Sequence, residues 1–179
     1  MTEEEIISNL KSGQGSEEAF SALVNEHKVR LYWHIRHMVK THEDADDVLQ
    51  NTFVKVFKNI KHFKGESKLY SWMYRIATNE SITFLNKKAK KKNISVPELK
   101  DYIINSLESD VYFEGDQIQL KLQKAIETLP EKQKQVFMMK YFEDLPYKEM
   151  SEILNTSEGA LKSNYHHATK KIEKYLKNN

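Results

Sequence analysis

The sequence predicts an all-α protein of two small helical domains joined by an extended acidic linker, and three observations carry that expectation. Only 5 Gly and 3 Pro punctuate 179 residues, 30% of which are charged, a composition suited to helices with solvated faces. Apolar residues recur at helical period along two tracts. Between the tracts, from Ser95 to Gln119, the period lapses and acidic residues dominate.

Residues Met1 to Gly15 are acidic and lack the apolar run of a signal peptide, and no later stretch approaches the roughly 18 apolar residues of a membrane helix. A soluble, cytoplasmic protein with no membrane insertion is expected. Phe20, Leu23, Val24, Leu31, Ile35 and Met38 then mark a helix from Glu17 to Lys40. Thr41 to Asp44 offer a cap for a second, whose apolar stripe is Ala45, Val48, Leu49, Thr52, Phe53, Val56, Phe57 and Ile60. Its opposite face carries Asp46, Asp47, Gln50, Asn51 and Lys55. A polar loop from His62 to Ser67 precedes a third helix, with Leu69, Trp72, Met73, Ile76 and Ala77 inward, which Lys87, Lys88, Lys90, Lys91 and Lys92 extend as a basic run. These three helices make one domain over residues 1–92. Residues 93–116 are read as a flexible linker, bearing Glu98, Asp101, Glu108, Asp110, Glu114 and Asp116.

The second domain, 117–179, begins with a helix that buries Leu120, Leu122, Ala125, Ile126 and Leu129, and Pro130 starts the next, with Val136, Phe137, Lys140 and Tyr141. In Pro146 to Leu154, Tyr147, Met150, Ile153 and Leu154 share a face. Asn155-Thr156-Ser157 then breaks the helix with turn and N-cap chemistry. The last helix buries Leu161, Ala168, Ile172 and Leu176 and turns Lys162, Ser163, Asn164, His166, His167 and Lys170 elsewhere. Two helices joined by such a turn, the second basic and rich in hydrogen-bonding groups, suit the DNA major groove. A lysine-rich face taken alone is no more than solvated surface.

Other chemistry finds little support. The absence of cysteine excludes disulfides, thiolate catalysis and cysteine-based metal sites. His34, His37 and His42 lie near Glu43 and Asp44, but no HExxH motif, phosphate-binding loop or nucleophile elbow occurs. No catalytic residue, metal or cofactor is expected. The net charge of +2 is too small to indicate a partner, so the distribution of charge matters. Phe63, Tyr70, Trp72 and Tyr74 surround the Gly65 loop beside a basic helix end, where bases could stack on rings while lysines hold phosphates. Rings at helical spacing also build cores, and for Phe63 and Trp72 the sequence leaves both uses open.

Three blocks together resemble a sigma-70 family transcription initiation factor of the extracytoplasmic-function type. DADDVLQNTFVKVFKNI, from Asp44, is similar to region 2.2 of that family. FKGESKLYSWMYRIATNESITFLNKKAKK is similar to regions 2.3 and 2.4, and LPEKQKQVFMMKYFEDLPYKEMSEILNTSEGALKSNYHHATKKI to region 4. The resemblance implies promoter recognition by core RNA polymerase, with the clamp and flap regions of the enzyme and promoter DNA as partners and, where the family uses one, an anti-sigma factor. It implies that Asp46, Asp47, Gln50, Asn51 and Phe53 dock on the clamp. It assigns the −10 element to Phe63, Lys64, Gly65, Glu66 and Ser67, which capture a flipped base, with Tyr70, Trp72, Asn79, Lys87 and Lys88 nearby. It assigns the −35 element to Ser157, Lys162, Ser163, Asn164, His166, His167 and Lys170. Asn155 stands where the family usually has a turn glycine, Pro146 where it has a capping serine, and Asn164 and His167 where it has arginines. The family's DNA preference therefore does not carry over. A stand-alone helix-turn-helix regulator is the first alternative, which leaves residues 1–92 unexplained; a metal-dependent hydrolase on the His/Asp/Glu helices is the second.

Overall fold

A computed structural model describes residues 1–106 and 117–179. Among these residues the chain is helical, with no strand. Two units separate: Met1–Val39 with Glu43–Phe84, and Lys40–His42 with Leu85–Asn179. Within this division the basic run at 87–92 groups with the second unit.

The first unit opens with a helix that the sequence reading did not anticipate, α1 (Glu3–Ser12). Its cause is local. Thr2 accepts a hydrogen bond from the Glu5 amide while the Glu5 carboxylate accepts one from the Thr2 amide, at 3.2 and 2.7 Å. Three glutamates fill its first turn, and Gly13, at φ 81°, closes its end. Ile6 and Leu10 are buried as α1 packs on α2 (Ser16–Val39) and on the short 3₁₀ turn Ile60–His62. Helices α3 (His42–Asn59) and α4 (Leu69–Lys91) supply the rest of this core through Ala45, Val48, Thr52, Val56, Leu69, Met73 and Ala77. Four helices, not three, build the unit.

In the second unit, part of the expected linker is helical. Ser95 and Glu98 form a second capping box for α5 (Val96–Asn105), whose Leu99, Ile103 and Ile104 are buried and which packs on α6 (Gln117–Glu127). Glu98, Lys100 and Asp101 interrupt the buried positions Leu99, Ile103 and Ile104, and the helical period is short enough for these charges to mask it. The remaining acidic positions, Glu108, Asp110, Glu114 and Asp116, lie outside the described residues. Helices α7 (Glu131–Tyr141), α8 (Tyr147–Leu154) and α9 (Glu158–Asn178) complete the unit, α9 packing against α6, α7 and α8. Phe137 stacks between Tyr141 and Tyr165, with ring centres 5.0 and 6.0 Å away.

Candidate nucleic-acid interface

The polar side of α3 follows from its period. With Ala45, Val48, Thr52 and Val56 facing inward, Asp46, Asp47, Gln50 and Asn51 are exposed. Phe53 differs: it is 7% exposed and meets Phe20 edge-on at 6.3 Å, so its ring belongs to the core. Val54 and Phe57, about half exposed, instead give this side of α3 an apolar margin. Phe57, expected inward, is thus on the exposed side, and Val54 joins the polar face through the i, i+3, i+4, i+7 spacing of Asp47, Gln50, Asn51 and Val54. Lys55 forms an ion pair with Glu80 of α4.

The loop after the 3₁₀ turn places its residues unevenly. Phe63 is 6% exposed, its ring 5.2 Å from that of Trp72, while Lys64, Gly65 and Glu66 are exposed. Gly65 has φ 75°, a conformation that a side chain would strain. Ser67 is half-buried, its hydroxyl 3.4 Å from an Arg75 guanidinium nitrogen. Trp72 is half-buried and Asn79 exposed. Tyr70 is buried: the Arg30 guanidinium lies 3.7 Å from its ring centre, His27 stacks at 5.7 Å, and Tyr74 meets it edge-on at 5.7 Å. The aromatic cluster read from the sequence is therefore mostly core. Of the −10 set, the residues from Phe63 to Asn79 belong to the first unit, and Lys87 (exposed) and Lys88 (half-buried) to the second.

His34 lies in the same core, stacked on Tyr74 at 3.6 Å with Nε2 2.8 Å from the Thr78 hydroxyl. Thr78 donates its proton to the Tyr74 carbonyl at 2.9 Å, so its oxygen accepts from His34 and fixes the proton on Nε2. Burial, reinforced by His37, lowers the His34 pKa to about 3. A neutral imidazole engaged in this way is a structural group. Among the described residues no three His, Asp or Glu side chains gather as metal ligands.

In the second unit, Asn155 adopts φ 51°, ψ 47° and ends α8, its amide bonded to the Ser151 carbonyl. Asparagine takes this left-handed conformation at modest cost, which is why the usual glycine is dispensable. Ser157 caps α9 by accepting from the Ala160 amide at 3.2 Å. Leu161, Ala168 and Ile172 are buried, and Lys162, Ser163, His166, His167 and Lys170 form an exposed row. Asn164 is the exception. It is half-buried and lines a cleft with Lys132, Gln135, Val136, Leu154 and Thr156, on the side of α9 that faces its own unit. Tyr147 lies between two lysines, its ring centre 4.9 Å from the Lys140 nitrogen and 5.6 Å from that of Lys162.

No helix among the described residues is long and apolar enough to cross a membrane. Residues 23–91 match the family described as Sigma-70 region 2, and residues 119–172 that described as Sigma-70, region 4. The chain is 26% identical to the ECF RNA polymerase sigma-E factor of Haemophilus influenzae over 97% of its length and 94% of that protein. It is 30% identical to the ECF RNA polymerase sigma factor SigM of Bacillus subtilis over 74% of its length and 80% of that protein. Similar folds occur in CnrH, solved with the cytosolic domain of CnrY (TM-score 0.69, 19% identity, 97% of this chain and 96% of that one). They occur also in the sigma factor RpoE of Bartonella quintana, solved with the anti-sigma factor NepR (TM-score 0.63, 18% identity, 88% and 96%). With both regions in order and a helix-turn-helix closing the second, the chain belongs to the sigma-70 family of RNA polymerase sigma factors, in its extracytoplasmic-function branch.

Proposed function

We propose that this transcription initiation factor docks on the clamp of core RNA polymerase through Asp46, Asp47, Gln50 and Asn51, with Val54 and Phe57 as an apolar margin. It reads the −10 element with Lys64, Gly65, Glu66, Trp72 and Asn79, and the −35 element with Lys162, Ser163, His166, His167 and Lys170. The observation that carries this reading is the exposed row on α9 behind the left-handed Asn155 turn, within a chain whose family membership supplies the polymerase. Run-off transcription with core enzyme over a promoter library tests it: initiation should become promoter-specific when the chain is added. Initiation no more selective than that of core enzyme alone overturns it. The free chain should bind promoter DNA weakly, because the −10 and −35 contacts are each small and add fully only when polymerase holds both on one promoter; tight, sequence-specific gel shifts would favour a stand-alone regulator. That CnrH and RpoE were each solved with a bound protein, an anti-sigma factor for RpoE, supports regulation of this chain by a partner of that kind.

The α3 face has no part in the core, so Asp47→Ala with Gln50→Ala should leave helicity intact and weaken capture of core enzyme about tenfold, as loss of central interface contacts does. Capture equal to the parent's would exclude this docking face. On α9, Lys162→Ala should reduce binding by holoenzyme and shrink its salt dependence by about one counterion. Asn164→Ala should keep the parent's base preference across a randomised −35 library, since its side chain lines the cleft. Relaxed preference at one base pair would instead mean that α9 presents Asn164 to DNA.

A further inference from the structure

Helix α1 has no part in the reading above, yet one of its side chains reaches the proposed −10 loop. The Lys11 ammonium donates to the Phe63 carbonyl at 2.6 Å and stands 5.9 Å from the centre of the Phe63 ring. Burial of Leu10 and Ile6, with the turn of α1 ended at Gly13, brings Lys11 to this point. Phe63 is held at three points: its amide donates to the Ile60 carbonyl at 3.1 Å, its ring meets Trp72, and its carbonyl accepts from Lys11. That carbonyl is the last fixed atom before the exposed Lys64, Gly65 and Glu66. At the far end, the Arg75 guanidinium meets the Ser67 hydroxyl. Two cations from different helices therefore hold the two ends of a three-residue exposed arch.

We propose that Lys11 is a positioning residue for promoter opening, holding the loop in the shape that receives a base and so making α1 part of −10 recognition. The inference rests on the reading of this loop as a −10 contact. A flipped base is accepted only into a pocket that exists before it arrives, since ordering a loop at the moment of binding subtracts from the affinity gained. The bond is part-buried and charge-assisted, and so of the stronger kind.

Lys11→Met keeps the stem of the side chain and removes the donor; Lys11→Arg keeps a donor. With holoenzyme on a promoter carrying a fluorescent base in the −10 element, Lys11→Met should open DNA about tenfold more slowly, the effect of one such bond. Over a randomised −10 library it should flatten the preference at the captured base. Core capture and −35 preference should stay near the parent's, the thermal midpoint should fall by no more than about a few degrees, and Lys11→Arg should restore opening. Opening and selection equal to the parent's in Lys11→Met overturn the proposal, as does a general loss of stability with no change specific to the −10 element. Glu66→Ala separates the two layers: if it leaves −10 preference unchanged, the reading of the loop fails and Lys11 with it. If it changes preference while Lys11→Met does not, Lys11 alone is wrong.

Discussion

Glu127→Gln is expected to destabilise the second unit by about 3 to 5 kcal/mol, the cost of removing the anion from a buried ion cluster. In that unit one carboxylate serves three ammonium groups: Lys134 at 3.0 Å, Lys40 at 3.2 Å and Lys100 at 3.5 Å. The side chain of Lys40 is 3% exposed and that of Glu127 9%, and Lys40 also donates to the Gln123 amide oxygen at 2.8 Å. Glutamine keeps the shape and removes the charge, so three mutually repelling cations would remain around a neutral amide. Urea titration of parent and variant gives the difference, and adding Lys134→Met to the variant should recover part of it by removing one of the mutually repelling cations, whose remaining ion pair is with the exposed Glu131 at 3.7 Å. A loss below about 1 kcal/mol would show that water screens the cluster as it does a surface ion pair. Burial works to raise the Glu127 pKa, but the three lysines hold it at about 2, below the ordinary 4.5. The unfolded chain therefore takes up this proton first, and the stabilisation, complete above about pH 4.5, is lost as pH falls toward 2.

Stability should begin to fall at a higher pH for a different reason. His34 is neutral in the fold, with a pKa of about 3 against an ordinary 6.5, because burial excludes the charged form. Between those values the unfolded chain binds a proton that the folded chain does not. Acidification therefore favours unfolding by up to about 1.4 kcal/mol per pH unit, or about 2 kcal/mol from pH 6.5 to 4.5. His27, whose pKa burial also lowers, adds in the same direction. In His34→Gln, denaturant midpoints measured over this range should show a shallower slope, with a lower plateau near neutrality from the lost stacking on Tyr74. A slope unchanged from the parent's would mean that His34 is protonated in the fold.

The sequence by itself determined the helices whose signals lie within one or two turns. The stripe through Ala45, Val48, Thr52 and Val56 exposed Asp46, Asp47, Gln50 and Asn51 without reference to any other element, and Asn155 followed by Ser157 fixed the break before α9. Family membership was legible for the same reason, since its blocks are runs of local pattern. Local signals for α1 and α5 were also present, as Thr2 with Glu5 and Ser95 with Glu98, but their acidic composition outweighed them in the reading. What only the tertiary structure decided is which side chains on an element's margin are covered. Tyr70 became core because Arg30 and His27 of α2 lie against it, and Asn164 left the exposed row because α7 and α8 flank it. Lys11 meets Phe63 52 positions away, and Lys40 meets Gln123 83 positions away. A helical period states which side of a helix is apolar; a polar partner across such a separation depends on how whole elements pack, and no local pattern encodes it.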